Sequence, residues 1–148
     1  MTTTSTTTPT TPSRPRAGRD RAARVLLGLA AVGAAGAALT AAGTVLDADG
    51  ATTVVETWRA YGLVVFTGLF VLLAISPRGY RGVWELVIFH KVAMTVTALL
   101  YAAHGGIADT AAIIGWDGSV SVLLVGAYVL ARGWTAAPNW RRDPRPAR

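Results

Sequence analysis

The feature that most constrains this chain is a set of four long apolar segments separated by short polar ones. The segments cover residues 25–46, 54–75, 83–107 and 116–134, and the first contains no charged residue. A helix needs about 20 apolar residues to cross a hydrocarbon core of about 30 Å, and each segment is close to or above that length. We therefore predict an all-α integral membrane protein, a four-helix bundle.

Composition supports this class and excludes several others. Apolar residues make up 52% of the 148 residues and charged residues 15%, whereas a typical soluble protein has about 25% charged residues. A membrane β-barrel would need at least about eight alternating strands, and no such alternation appears. The chain contains no Cys, which excludes disulfides, thiolate metal sites and thiol catalysis.

Basic residues lie mostly on one side of the predicted membrane, and only Arg59 lies near the other face. Arg is concentrated before the first segment, between the second and third, and after the fourth, whereas the other two loops carry Asp47, Asp49, Asp109 and Asp117 without Lys or Arg. Basic loops stay in the cytosol, so both termini are predicted to be cytosolic. We expect a disordered Thr-rich, then Arg-rich arm over residues 1–24 and a basic tail over 135–148. The net charge of +6 then points to membrane lipids as partners rather than to nucleic acid.

The first segment allows one other interpretation and also carries a packing signal. Its upstream arginines and the run Ala41-Ala42-Gly43 resemble a cleaved signal peptide, although its apolar stretch exceeds the usual 7–15 residues. Cleavage would leave three helices. Its small residues, with Gly36, Thr40 and Thr44 every four positions, predict close helix packing and allow a homo-oligomer.

The third segment carries a regular polar pattern. His90, Met94, Thr97, Tyr101 and His104 follow each other at intervals of 4, 3, 4 and 3 residues, so they share one helix face. Polar side chains cost free energy in hydrocarbon, so this face should look into the bundle, a cavity or a partner. Two interpretations follow: hydrogen bonds between helices, or the lining of a ligand pocket.

The two histidines of this face also suggest haem as an occupant. His90 and His104 are 14 residues apart (104 − 90), about 21 Å along a helix. Each haem would need a second axial ligand, and the chain has no third histidine, so only a homodimer could hold one with two histidines. We predict no cofactor, with haem or a quinone as the alternatives, and no metal.

The second segment begins with a charged pair. Glu56 and Arg59 are one helical turn apart and should form an ion pair. His104 and Asp109 are expected at the same depth in the membrane as this pair. The cluster either binds a small polar or anionic ligand or relays protons, or it anchors two helix ends.

The remaining charged and aromatic residues are predicted near the membrane surfaces. Arg81 and Glu85 should pair, and the long side chain of Lys91 should reach the cytosolic headgroups. Tryptophans are expected in the headgroup zone. Those at the predicted helix ends are Trp58, Trp84, Trp116 and Trp134.

The start of the second segment resembles a known family. Residues 56–62 read ETWRAYG and residues 68–70 read GLF, which is similar to small four-helix membrane proteins of the DoxX-like superfamily in bacteria. The resemblance implies an accessory subunit connected with quinone chemistry, sulfur oxidation or oxidative stress, with Glu56 and Arg59 at the family positions. The absence of Cys argues against a direct thiol role.

No catalytic motif is present, because the chain lacks a nucleophile elbow, a zinc-protease helix and a phosphate-binding loop. We predict a non-enzymatic accessory or interaction subunit of a bacterial plasma membrane. The alternative is a module that binds a small quinone-like ligand along the third helix, and the third option is an oligomeric transporter or proton-conducting subunit. The residues predicted to carry such functions are Glu56, Arg59, His90, Thr97, Tyr101 and His104.

Overall fold

The computed structural model describes residues 14–80, 82–105 and 107–135. These form four helices, α1 (Arg14–Asp47), α2 (Thr53–Ile75), α3 (Val83–His104) and α4 (Thr110–Ala131), followed by a single 3₁₀ turn at Gly133–Thr135. No strand occurs in the described residues, so the predicted all-α class is confirmed.

All four helices are long and apolar enough to cross a membrane. Their outer surfaces carry large apolar side chains, such as Leu39 and Val122, each 76% exposed. A soluble protein rarely exposes apolar surface on this scale, whereas lipid accommodates it. The chain is therefore built as a multi-pass membrane protein.

Two helix beginnings differ from the sequence prediction. Helix α1 begins at Arg14, so residues 14–24 are helical rather than part of a disordered arm. Helix α4 begins at Thr110, six residues before the predicted 116, and so includes both Trp116 and Asp117. The α3–α4 loop is correspondingly short: Gly105 has a φ of 76° and Asp109 a φ of 63°, both outside helical geometry. Residues 1–13 and 136–148 of the predicted arm and tail lie outside the described residues.

The helices do not pack equally. Helix α1 packs against α2 and α4, and α4 packs against α3, whereas α2 and α3 touch over a few residues only. The helices alternate in direction, so the α2–α3 loop lies with the beginning of α1 and the end of α4. We call this the terminal end of the bundle. The bundle is thus closed on three sides and narrowly joined along the α2–α3 edge.

Small side chains form the inner face of α1. The buried residues follow helical spacing, at Ala23, Leu27, Ala30, Ala31 and Ala34. Small faces let helix backbones approach closely, which favours association where lipid supplies no hydrophobic force. The packing role predicted for small residues in this helix is thus performed largely by alanine.

Among the glycines of the membrane helices, Gly33 lies at a close contact. A Cβ placed there would be 2.8 Å from Cη2 of Trp116 in α4, too close for an unshifted ring. An added Cβ would meet no neighbouring atom at Gly28, Gly36, Gly43, Gly62 or Gly68. The Gly36, Thr40 and Thr44 face is exposed rather than packed within the bundle.

The terminal end is held by contacts between the α2–α3 loop and the neighbouring helices. The indole Nε1 of Trp84 donates to the carbonyl oxygen of Pro77 at 2.7 Å, and its ring meets Tyr128 edge-on. Arg78 donates from Nε to the carbonyl oxygen of Ala131 at 2.8 Å and forms an ion pair with Asp20. Trp84 is fully buried, so its ring packs inside the bundle rather than on the outer surface of the helices.

Candidate functional site

A buried ion pair lies between α3 and α4. The Nζ of Lys91 is 2.6 Å from Oδ1 of Asp117, and the two residues are only 5% and 7% exposed. Two sequence predictions are therefore wrong. Lys91 does not extend to the headgroups, and Asp117 lies inside α4 rather than in the loop before it.

The pair lies well inside the apolar helices. Lys91 is eight residues beyond Val83 (91 − 83), about 12 Å along α3. Asp117 is seven residues beyond Thr110 (117 − 110), about 10 Å along α4 from the other end of the bundle. A lone charge at this depth is costly, which explains why each residue is paired with the other.

Helix α2 completes this site with an aromatic ring. The Nζ of Lys91 lies 4.6 Å from the centroid of the Phe66 ring, a cation–π contact. The Phe66 ring also packs against the imidazole of His90, with centroids 4.5 Å apart. The Lys91–Asp117 junction, consisting of Phe66, Lys91 and Asp117, therefore joins three helices.

A hydroxyl group lies one helical turn beyond each charged residue of the junction. Thr95 donates to the carbonyl oxygen of Lys91 at 2.8 Å, and Ser121 donates to that of Asp117 at 2.7 Å. The methyl group of Thr95 also lies near Gly118 of α4. Both hydroxyls are thus satisfied by backbone carbonyls rather than by the carboxylate.

The polar residues predicted to share one face of α3 do so, but that face points outward. We call it the α3 stripe, consisting of His90, Met94, Thr97, Tyr101 and His104. All five are exposed, Met94 at 37% and Tyr101 at 48%. From the sequence, this face is expected to look into the bundle, a cavity or a partner. Within a single chain, it does not look into the bundle.

Glu56 and Arg59 form the predicted ion pair, with Oε1 of Glu56 3.2 Å from a guanidinium nitrogen of Arg59. Glu56 is mostly buried and its Oε2 has no hydrogen-bond partner among the described residues, whereas Arg59 is exposed. His104 and Asp109 do not join this pair. The Nδ1 of His104 instead lies 2.7 Å from the carbonyl oxygen of Leu100, and Asp109 is exposed at the start of α4.

The α1–α2 loop is organised by Asp49. Its Oδ1 accepts hydrogen bonds from the backbone nitrogens of Ala51 and Thr52 and from the hydroxyl of Thr52, at 2.8–3.1 Å. The hydrogen bond from the Thr52 hydroxyl is the main cause that lowers the pKa of Asp49 below its usual value. Asp49 thus acts as a turn-forming residue. Within the described ranges, no three metal-ligating side chains lie close enough together to hold an ion.

One further prediction concerns the terminal end. The predicted Arg81–Glu85 pair falls on Arg81, which lies outside the described residues. Glu85 instead accepts a hydrogen bond from the hydroxyl of Tyr128 at 3.0 Å. This bond links α3 to α4 beside the Trp84 contact.

The DoxX-like resemblance of residues 56–70 remains a prediction from the sequence motif. No protein-family model, no curated protein and no solved structure matches this chain.

Proposed function

We propose that the protein is an accessory or interaction subunit of a bacterial plasma membrane that binds another transmembrane helix through the α3 stripe. The observation that carries this proposal is the outward exposure of His90, Thr97, Tyr101 and His104 on a mainly apolar surface. Polar side chains facing lipid are unfavourable, and a partner helix would supply hydrogen bonds. Each such bond contributes about 0.6 kcal/mol on average.

The Lys91–Asp117 junction supports this proposal because it determines the rotation of α3. Neighbouring side chains on a helix are separated by about 100°. Lys91 is held inside the bundle by Asp117 and Phe66, so the adjacent His90 and the positions one turn and two turns beyond it are held outside. A buried ion pair is a weak source of stability, but it can specify one packing arrangement.

A photoreactive residue in the α3 stripe tests this function. With benzoylphenylalanine in place of Thr97, irradiation of native membranes should produce a discrete cross-linked product, because a partner helix covers that position. The control is the same substitution at Val122 of α4, which is 76% exposed on a different helix. Equal labelling at both positions, or labelling of lipid alone at Thr97, would contradict the proposal.

A ligand-binding module is the second candidate, in keeping with the DoxX-like resemblance. The observation that favours it is the contact between the Phe66 ring and the His90 imidazole at the α2–α3 edge, where the two helices touch least. A flat quinone-like molecule could lie against such an edge from the lipid side. In the cross-linking experiment, this candidate predicts a small-molecule adduct at Thr97 and no protein adduct.

We also propose that the terminal end faces the cytosol. This end carries Arg19, Arg21, Arg24, Arg78 and Arg132 with Asp20, whereas the opposite end carries Asp47, Asp49, Glu56 and Asp109 with Arg59. Basic residues remain on the cytosolic side of a membrane.

Single cysteines test this orientation, since the chain has none of its own. Gly50 and Gly18 are suitable positions, because both are exposed and an added Cβ would meet no neighbouring atom. In intact cells, an impermeant maleimide should label G50C, and it should label G18C only after the membrane is permeabilised. The reverse pattern would overturn the orientation.

A further inference from the structure

We infer that the helix covering the α3 stripe is the α3 of a second copy of this chain, packed in parallel about a two-fold axis along the membrane normal. This inference rests on the proposed function and names its partner.

The symmetry follows from the membrane. Every copy carries the same distribution of Arg and Asp, so every copy inserts in the same orientation. Two copies can then form a closed, isologous pair only about an axis along the membrane normal. Near such an axis, each stripe residue lies beside its own copy, so the stripe must be able to bind itself.

The chemistry of the α3 stripe meets this requirement. A neutral histidine has one donor and one acceptor nitrogen, and the hydroxyls of Thr97 and Tyr101 both donate and accept. His90, Thr97 and Tyr101 can therefore each pair with an identical group across the axis, whereas His104, whose Nδ1 already donates to the carbonyl oxygen of Leu100, can only accept there. The charged side chains of α3 would repel their copies, but they are kept off the stripe: Lys91 is buried against Asp117, and Glu85 accepts a hydrogen bond from Tyr128.

Unused hydrogen-bonding capacity distinguishes this face from the other polar surfaces. Most helical hydroxyls donate to the carbonyl oxygen four residues earlier, as Thr40, Thr57, Thr67, Thr95, Ser119 and Ser121 do. Within the described residues, Thr97 makes no such bond, and the hydroxyl of Tyr101 makes none either. The rival small-residue face of α1 is internally satisfied, because Thr40 and Thr44 both donate to their own helix.

The spacing of the stripe matches a helix pair. The intervals of 4, 3, 4 and 3 residues repeat with the heptad period of left-handed pairs, which cross at about 20°. From His90 to His104 the stripe extends over about 21 Å of α3, most of the hydrocarbon thickness. Two copies could therefore remain in contact across nearly the whole membrane.

Disulfide cross-linking tests this arrangement directly in the cysteine-free chain. M94C and T97C should form covalent dimers when native membranes are oxidised, because a disulfide needs Cα atoms about 4.4–6.8 Å apart. The matched control is V96C, which is similarly exposed but rotated about 100° from Thr97. We expect roughly fivefold or more dimer at 94 and 97 than at 96. Dilution with excess lipid separates stable pairs from random collisions, since only collisional dimers should decline.

The outcomes separate this inference from the proposed function. If T97C forms no disulfide while the photoreactive residue at 97 captures a different protein, the second copy is excluded and the interaction function stands. If T40C forms dimers and T97C does not, the copies meet through α1 and the inference fails. If neither reagent at position 97 captures any protein, both proposals fail.

Discussion

Replacing Asp117 with Leu should lower the free energy of unfolding by about 3–5 kcal/mol, because the Lys91 ammonium group would remain buried without a counter-charge. Lys91→Met should have a similar effect by leaving the carboxylate of Asp117 alone. The measurement is reversible unfolding in mixed detergent micelles, followed by helical circular dichroism. The 2.6 Å contact and the burial of both partners place this among the largest effects of any single substitution in the chain.

The double variant Lys91→Met/Asp117→Leu is the decisive control for this prediction. Well-packed apolar residues can often replace a buried ion pair with little loss of stability, so the double variant should be within about 1 kcal/mol of the native chain. Glu56→Gln, at the Glu56–Arg59 pair with its exposed guanidinium, should cost no more than about 1 kcal/mol. Single variants as stable as the native chain would show that the buried pair does not form.

The double variant also bears on function. If the Lys91–Asp117 junction determines the rotation of α3, α3 should rotate more freely once both charges are removed. The difference in disulfide yield between positions 94 and 97 and the control position 96 should then become smaller, even though stability recovers. A stable double variant with an unchanged cross-link pattern would mean that apolar packing alone orients α3.

The sequence predicted the number of helices because the ability to cross a membrane is a local property of length and hydropathy. It misplaced the start of α1 for a related reason. The change in composition at Val25 marks where apolar sequence begins, but Arg is a good helix former. Helix α1 therefore continues through Arg19, Arg21 and Arg24 to Arg14.

The buried pair could not be deduced from local pattern alone. The cost of a charge in the interior depends on a partner 26 residues away (117 − 91), and each residue near a segment end has an equally good interpretation as interfacial. One signal was available: the apolar run Ala111 to Ile114 before Asp117 allows α4 to begin earlier. The spacing of the α3 stripe likewise predicted a shared face but not its direction, which depends on where Lys91 points.

The burial of Trp84 also depends on distant residues and could not be predicted from local sequence. It leads to the second substitution for which we expect a large loss of stability. A tryptophan near a segment end is typical of the headgroup zone, but this one is 0% exposed, and its indole nitrogen donates to the carbonyl oxygen of Pro77. Its ring meets Tyr128, whose own ring meets Trp134 at 5.8 Å between centroids. The 3₁₀ turn packs tightly against the Tyr128 ring, since a Cβ on Gly133 would lie 2.2 Å from that ring.

Trp84→Ala should therefore lower the free energy of unfolding by about 3–5 kcal/mol, the range for removing a large buried aromatic side chain. It should also open the terminal end, because the carbonyl oxygen of Pro77 in the α2–α3 loop would lose the hydrogen bond that Trp84 donates, and α3 would lose the ring that packs against Tyr128 of α4. Hydrogen exchange should then increase in the loop and in the last turns of α4 more than at the opposite end of the bundle. Unfolding in mixed micelles gives the first quantity and exchange with mass spectrometry the second.

Two controls separate the contributions of packing and hydrogen bonding. Trp84→Phe retains most of the buried ring and loses the bond to Pro77, so it should cost less than Trp84→Ala, with about 1 kcal/mol from the lost bond. Trp134→Ala removes an exposed ring from the edge of the same cluster and should have a small effect. If Trp84→Ala were no more damaging than Trp134→Ala, the terminal end would be held mainly by Arg78, through its bonds to Ala131 and Asp20.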